Sequence, residues 1–305
     1  MDIKLKEQMV DFVRAMTGTS DAAGGYLVPD EFRAEVIRKV EYIAKFRSRV
    51  RIFPMKSDVC NFPTATNGFV AYWGMGNDLN AITQSAATFN RKPFVAQNLG
   101  AAGTLDKDLL ADAGVDVVDL VTDMIAETIS LAEDTGIING LGSGSLTMLG
   151  VLQDSGVATV TSNSTGVIAA DDVIDLEYGL ASQYRAGAVY VLANSAIKAI
   201  RKLKDDYGQY LWQQNYQAGT PPTLNGYPVI ESPDMPAVAA GNKAIIFGNF
   251  KRYYMGDRQT MRIETSDSAG ADIFLKDQIL MKVKERVDGR VADTNGFVTL
   301  TIKAS

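Results

Sequence analysis

Ser195 and Lys198 stand three residues apart in SAIK, the spacing that sets a nucleophilic hydroxyl and a lysine amine on one helical turn in serine hydrolases. Asp116, Asp119, Asp123 and Glu127 recur at helical spacing, and carboxylates four residues apart can hold one hard cation. The stretch 133–151, EDTGIINGLGSGSLTMLGV, has enough glycine to wrap a phosphate. Each of these falls short of its chemistry. The companion motifs Ser-Asp-Asn and Lys-Thr-Gly are absent, and Ser195 serves equally as a helix N-cap, with Lys198 opening a solvated face shared with Arg201, Lys202 and Lys204. Asp123 and Glu127 alone supply too few oxygens for a metal. In the glycine loop Gly144 is followed by Ser-Leu-Thr, not Lys-Ser/Thr, and no glycine completes a G-x-G-x-x-G.

Histidine is absent altogether and cysteine occurs once, at Cys60. That excludes Ser-His-Asp and Cys-His mechanisms, a structural zinc site and an internal disulfide framework. The sequence thus predicts neither a catalytic site nor a cofactor nor a metal. A net charge of −6 argues against nucleic-acid binding as the main task. No run of about 18 apolar residues is present, so no membrane span is predicted. The 305 residues, 46% of them hydrophobic, suffice for one large or two ordinary domains.

The elements follow from periodicity. PDEFRAEVIRKVEYIAKF, from Pro29, reads as a helix after a short amphipathic segment and the connector TGTSDAAGG. Residues 50–95 are poor in helix formers and rich in aromatics: Phe53, Phe62, Phe69, Tyr72, Trp73, Phe89 and Phe94. They read as a long hairpin with its tip near 74–82, and a lone hairpin needs a surface to pack on. The longest helix is expected over 115–139, its apolar stripe formed by Val118, Val121, Ile125, Ile129 and Ala132, and its acidic stripe by the four carboxylates named above. Beyond the glycine loop come a helix at 171–185, a buried strand at 188–193, a helix at 195–204 capped by Asn194 or Ser195 and five further strands, with Lys282, Lys284 and Arg286 sharing one face. The class is α+β.

Charge is segregated along the chain. No basic residue lies between Lys107 and Arg185, a stretch of 77 residues holding 13 acidic ones. Residues 33–56 hold eight basic residues, among them Arg38, Arg47, Arg49 and Arg51, against Glu35 and Glu41. A subunit that lays a basic arm over a neighbour's acidic ridge has use for this arrangement. The candidate intersubunit contacts are therefore Arg38, Arg47, Arg49 and Arg51, the aromatics Phe69, Tyr72 and Trp73, and Asp116, Asp119, Asp123 and Glu127.

Five stretches in order carry a resemblance: GGYLVP at 24–29, EDTGIINGLGSGSLTMLGVL at 133–152, LKDDYGQYLW at 203–212 followed by TLNGYPV at 223–229, IIFGNFKRYYMGDR at 245–258, and VKERVDGRV at 283–291. In this the sequence resembles the major capsid proteins of tailed bacteriophages with the Hong Kong 97 fold. The resemblance implies an N-terminal arm (1–51), an extended E-loop hairpin (52–95), a peripheral domain (96–164 and 258–305) around the long spine helix, and an axial domain (165–257). It implies a shell of hexamers and pentamers of this chain enclosing packaged double-stranded DNA without sequence-specific binding. Further implied partners are a scaffolding protein or trimmed scaffold segment, a portal and decoration proteins, with assembly in the bacterial host cytoplasm and a final place in the virion. Many relatives begin with a longer scaffolding segment, whereas 23 residues precede Gly24 here, so a trimmed chain or a separate scaffold is expected. An encapsulin-like cargo compartment, which shares the fold, is the alternative, and a Ser-Lys hydrolase a distant one.

Some members of the family join a lysine near the E-loop tip to a neighbour's asparagine. That reaction needs a neutral amine at the tip, and no lysine lies between Lys56 and Lys92. Mature particles boiled in denaturant and reductant are expected to run as one band near 32.9 kDa. A surviving ladder of multimers would show a covalent link and point to Lys92.

Overall fold

The computed structural model describes residues 45–67, 88–107, 117–205, 207–212, 222–267 and 275–304, with single positions at 69, 71, 73, 86 and 273. The expected arm helix from Pro29, Arg38, Tyr72, Asp116 and the hairpin tip near 74–82 lie outside the described residues. The long helix, α1 (Val117–Asn139), has no basic residue in its last turn to meet its final carbonyls. The glycine loop meets them instead. Val151 and Leu152 donate their N–H groups to the carbonyls of Ile137 and Ile138, and Gly150 donates to Gly140, at 2.8–3.0 Å. The chain leaves the helix, makes one 3-10 turn at Ser143–Ser145, and doubles back to cap it.

Four strands form one sheet: β1 (Arg51–Pro54), β4 (Gln97–Asp106), β10 (Tyr253–Ser266) and β11 (Gln278–Val291), in the order β1-β10-β11-β4. Along β11 burial alternates: Met281, Val283, Glu285 and Val287 are buried, whereas Lys282 and Lys284 are exposed and Arg286 half-buried. The six-stranded sheet comprises β5 (Ala158–Thr165), β6 (Val189–Leu192), β7 (Thr223–Leu224), β8 (Tyr227–Glu231), β9 (Lys243–Gly248) and β12 (Phe297–Lys303), in the order β5-β12-β9-β6-β8-β7. β6 is buried throughout because both its faces are covered. Tyr190 and Leu192 enter a core under α2 (Ala170–Gly179) and α4 (Asn194–Arg201). Val189 and Val191 point into a second core, shared by Phe46, Ile137, Ile138, Met148, Val151, Met255 and Val287. That second core joins both sheets, the end of α1 and the glycine loop. β2 (Val59–Asn67) and β3 (Thr88–Val95) pair antiparallel as a separate two-stranded hairpin.

Three expectations need correction. Ala132 is exposed and does not extend the apolar stripe; the buried side of α1 runs through Ile129, Glu133, Asp134, Ile137 and Ile138. The helix expected at 171–185 is broken after Gly179 by extended backbone at Leu180, with only the short α3 (Ser182–Arg185) beyond. The division into a peripheral unit (96–164 with 258–305) and an axial unit (165–257) cuts across a sheet. β12 pairs with β5 and β9, so both ends of the supposed peripheral unit contribute strands to the six-stranded sheet.

A methyl group at Gly150 would lie 2.5–2.6 Å from the backbone atoms Gly140 N, Asn139 N and Ile138 O, which cannot move without opening the cap. At Gly144 nothing lies within 4 Å. Gly150→Ala is expected to lower stability by at least about 2 kcal/mol, and Gly144→Ala to stay within about 0.5 kcal/mol of the parent. Urea midpoints of the free subunit measure both; equal midpoints would remove the role of close approach.

Candidate functional site

Residues 45–47 are clamped by the two adjacent acids of α1. Asp134 accepts the N–H groups of Lys45 and Phe46 at 2.6 and 3.1 Å. Phe46 is thereby fully buried, its ring 5.1 Å from that of Phe250. Glu133 bonds the guanidinium of Arg47, which also reaches Asp257 of β10 at 2.7 Å and Glu285 of β11 at 3.2 Å. One cation thus ties the incoming segment to the helix and to two strands. The carboxylates are almost wholly enclosed, their side chains 2%, 14% and 3% exposed in that order. Removing one member of a buried ion group costs about 3–5 kcal/mol, discounted here because a third of Arg47 remains exposed.

Three carboxylates around one guanidinium leave excess negative charge in a place with little water. Burial first, and then Glu285, push the Glu133 carboxyl up to about 8, against the pull of Arg47. Burial likewise raises Asp257 and Glu285. Burial works against the charge of Arg47 too, but the three acids outweigh it and hold the guanidinium protonated. Glu133 and Glu285 therefore share a proton near neutral pH. A further buried acid, Asp288, accepts the N–H groups of Val95 and Gly289 at 2.7 and 2.9 Å and pins the turn between β3 and β4; burial raises it to about 6.

The surfaces outside this node hold the other residues named from sequence. Arg49 and Arg51 are exposed; Arg51 donates to the Tyr254 hydroxyl at 3.1 Å and lies over that ring. With Ser48, Asn249, Lys251 and Arg252 they line a cleft of about 450 Å³ that no acidic side chain among the described residues lines. On α1, Asp123 is exposed and Glu127 half-buried, with Asp119 one turn earlier on the same helix. At the hairpin base Phe53, Phe62 and Phe94 pack against each other and on Tyr254, whereas Phe69 and Trp73 are 81% and 102% exposed. Lys92, near that base, donates to the Val291 carbonyl at 2.9 Å, and burial lowers its pKa.

Ser195 is not the cap of α4. The helix begins at Asn194, and the Ser195 hydroxyl accepts from the Val238 N–H at 3.3 Å across to another loop. The buried node was missed in sequence, although one signal was present: Glu285 sits in phase with Met281, Val283 and Val287 on the covered face of β11.

With this geometry in view, the comparisons are consistent. The chain matches the phage capsid family over residues 24–302, and it belongs to that family. It is 23% identical over 303 residues to the major capsid protein of Klebsiella oxytoca phage phiKO2, covering 92% of this chain and 68% of that one. Among solved structures it is similar to a chain of the capsid of the native GTA particle computed with C5 symmetry, at 27% identity and a TM-score of 0.81, over 94% of this chain and 99% of the other. A chain from Mycobacterium phage Adephagia shares the fold at 13% identity and a TM-score of 0.70, over 94% and 98%. The protein is accordingly a capsid protein, a structural component of the virion that assembles with copies of itself, and it is not an enzyme. The Ser-Lys hydrolase alternative is thereby set aside.

The shared proton sets a pH dependence. A glutamate in the unfolded chain titrates near 4.5, so between there and about 8 the folded chain binds this proton more tightly. Stability from this group is therefore full at low pH, falls as pH rises through that window, and is level above it. In Glu133→Gln no proton is needed. The parent's urea midpoint is expected to fall relative to that variant's from pH 5 to pH 8; parallel curves would exclude the shared proton.

Proposed function

We propose that this chain is the major capsid protein of a tailed-phage head, building an icosahedral shell of pentamers and hexamers around packaged double-stranded DNA. The observation that carries the reading is the agreement, over 94% of the chain, with a particle capsid at a TM-score of 0.81. In the Hong Kong 97 description α1 is the spine helix, the β2–β3 hairpin the E-loop, and the segment entering at Lys45 the end of the N-terminal arm. Scaffolding, portal and decoration proteins are then the expected partners, and the bacterial cytoplasm the place of assembly.

Two surfaces support contacts between copies. The exposed aromatics of the hairpin lie on a neighbouring subunit. The basic segment, through Arg49 and Arg51 with Arg38 further back, meets the acidic ridge of another copy at Asp116, Asp119, Asp123 and Glu127. Arg47 is left out of this set because its guanidinium is held by acids of its own chain. Each exposed pair contributes about 0–1 kcal/mol, and repetition over a shell makes the sum matter.

Light scattering and negative-stain microscopy of the purified protein test the reading: hollow shells tens of nanometres across are expected, and a stable monomer under all conditions would overturn it. Arg49→Glu with Arg51→Glu is expected to block shell formation or shift its salt dependence while leaving the free subunit folded. Unchanged assembly at every salt concentration would remove the basic contact.

A further inference from the structure

We propose that the open edge of β4 is a docking site for an extended acidic segment of a second protein, which joins the four-stranded sheet as a fifth strand. The inference stands on the sheet edge alone and goes beyond the capsid function, since it needs no shell.

A sheet edge is a row of unpaired N–H and C=O groups, and proteins guard such rows with prolines, charges, bulges or short strands. The other strand edges among the described residues are guarded. β1 has four residues and ends at Pro54, and β7 has two. The hairpin strands β2 and β3 contain Pro63 and Pro93, and the pairing of β5 with β12 is broken by a register shift. β4 has none of these devices. It is ten residues long, holds no proline and no charge before Asp106, and runs in unbroken register with β11 from Gln97 to Asp106. It ends the sheet, and among the described residues no backbone hydrogen bond reaches it from its open side. In an antiparallel pair every second residue turns its N–H and C=O away from the partner, so this edge is a template for one more strand.

The chemistry of the guest follows from what stands behind the edge. Gly100 and Ala102 lie opposite Lys284 and Lys282 in the register, and with them they line an open trough of about 280 Å³. Lys282 is engaged by Glu264 at 2.7 Å, whereas Lys284 is exposed and makes no salt bridge among the described residues. A strand added outside β4 lies two strand spacings from β11, roughly 10 Å. Glycine and alanine put almost nothing in between, so a glutamate or aspartate of the guest reaches over them to the lysines. On the other face Leu99, Ala101 and Leu105 are half-buried, and apolar residues of the guest extend that covered side. The guest thus alternates acidic and apolar residues. The chain's own open edges do not supply such a strand: β1, β2, β3, β5 and β7 contain no acidic residue. The one acid of β4, Asp106, accepts from Gln278 at 2.7 Å. The occupant is therefore a different protein and not a second copy.

A fluorescent peptide alternating valine and glutamate is the probe, titrated onto the folded full-length chain beside a valine–lysine control. Saturable binding of the glutamate peptide is expected, with amide exchange slowed over residues 97–106. Only one alternate set of the peptide's amides faces β4, so N-methylation of that set is expected to abolish binding and N-methylation of the other set to leave it. Ala102→Glu fills the trough with an acid from an exposed position. It is expected to keep the parent's urea midpoint and to weaken the glutamate peptide severalfold. Lys284→Glu is expected to reverse the preference, taking the lysine peptide over the glutamate peptide. Absence of saturable binding would overturn the proposal, as would equal losses from both methylated sets or an unchanged preference in Lys284→Glu. Self-association of the parent that Ala102→Glu abolishes would put a second copy at the edge and overturn it as well. The capsid function is read separately, by shell formation, and stands or falls without these titrations.

Discussion

Glu133 and Asp134 set two adjacent acids on the covered side of α1, and the path of the chain around them follows from the need to satisfy both. A buried carboxylate without a partner is among the costliest things a fold can contain. Asp134 is met by two backbone N–H groups and Glu133 by the guanidinium of Arg47, all from residues 45–47. Those three residues therefore lie across the helix end in one orientation. With them in place Phe46 drops into the core shared by both sheets, and full burial of such a side chain contributes about 2–3 kcal/mol. Four residues on, β1 begins and pairs parallel with β10. Asp257 at the end of that pairing is itself held by Arg47.

The other end of the same constraint is the helix terminus. α1 has no basic side chain in its last turn to meet its last carbonyls. The returning loop supplies N–H groups at close range, and close range requires glycine. At Gly150 a Cβ would collide with backbone on three sides. The loop is then anchored on the sheet as well: Leu149 donates to the Gly289 carbonyl at 2.8 Å, and the Tyr253 hydroxyl donates back to the Leu149 carbonyl at 3.1 Å. Helix, loop and β10–β11 thus form one rigid corner, with the Arg47 node on one side of it.

Much of this was legible in the sequence wherever a single local pattern decides the outcome. The long helix, the hairpin pairing, the all-buried β6 and the Asn-Gly turn joining β7 to β8 are local. Asn225 and Gly226 take the positive φ that such a turn demands. What failed was non-local. Ala132 is apolar and in register with the stripe yet exposed, whereas Glu133 and Asp134 are acidic and buried. Periodicity cannot see that Arg47 waits 86 residues away in the chain. The same limit explains the misdrawn domains. β12 reads as an amphipathic terminal strand in any sheet, and only its partners β5 and β9 say which one. Ser195 failed differently: a serine at a helix start has two uses for its hydroxyl, and the neighbouring loop at Val238 took it.

The segregated charge now divides into two kinds that behave differently. Arg47 with Glu133 and Glu285 is desolvated, so salt screens it little, and it is settled when the chain folds. Arg49, Arg51, Lys251 and Arg252 are set around an open cleft with no acid among them, where attraction to any partner is weak, screened and reversible. Under the proposed function this is a workable division of labour. Strong interactions in low dielectric fix the subunit before it meets another. Weak ones in water let subunits join, test the fit and separate again until the apolar contacts also match. A subunit whose outer surface made bonds as strong as the Arg47 node would be held in its first encounter, right or wrong. Under the same reading the exposed aromatics supply the missing discrimination, since dispersion and water exclusion reward only close fit. Charge then governs how quickly copies find each other, and shape governs which contacts last.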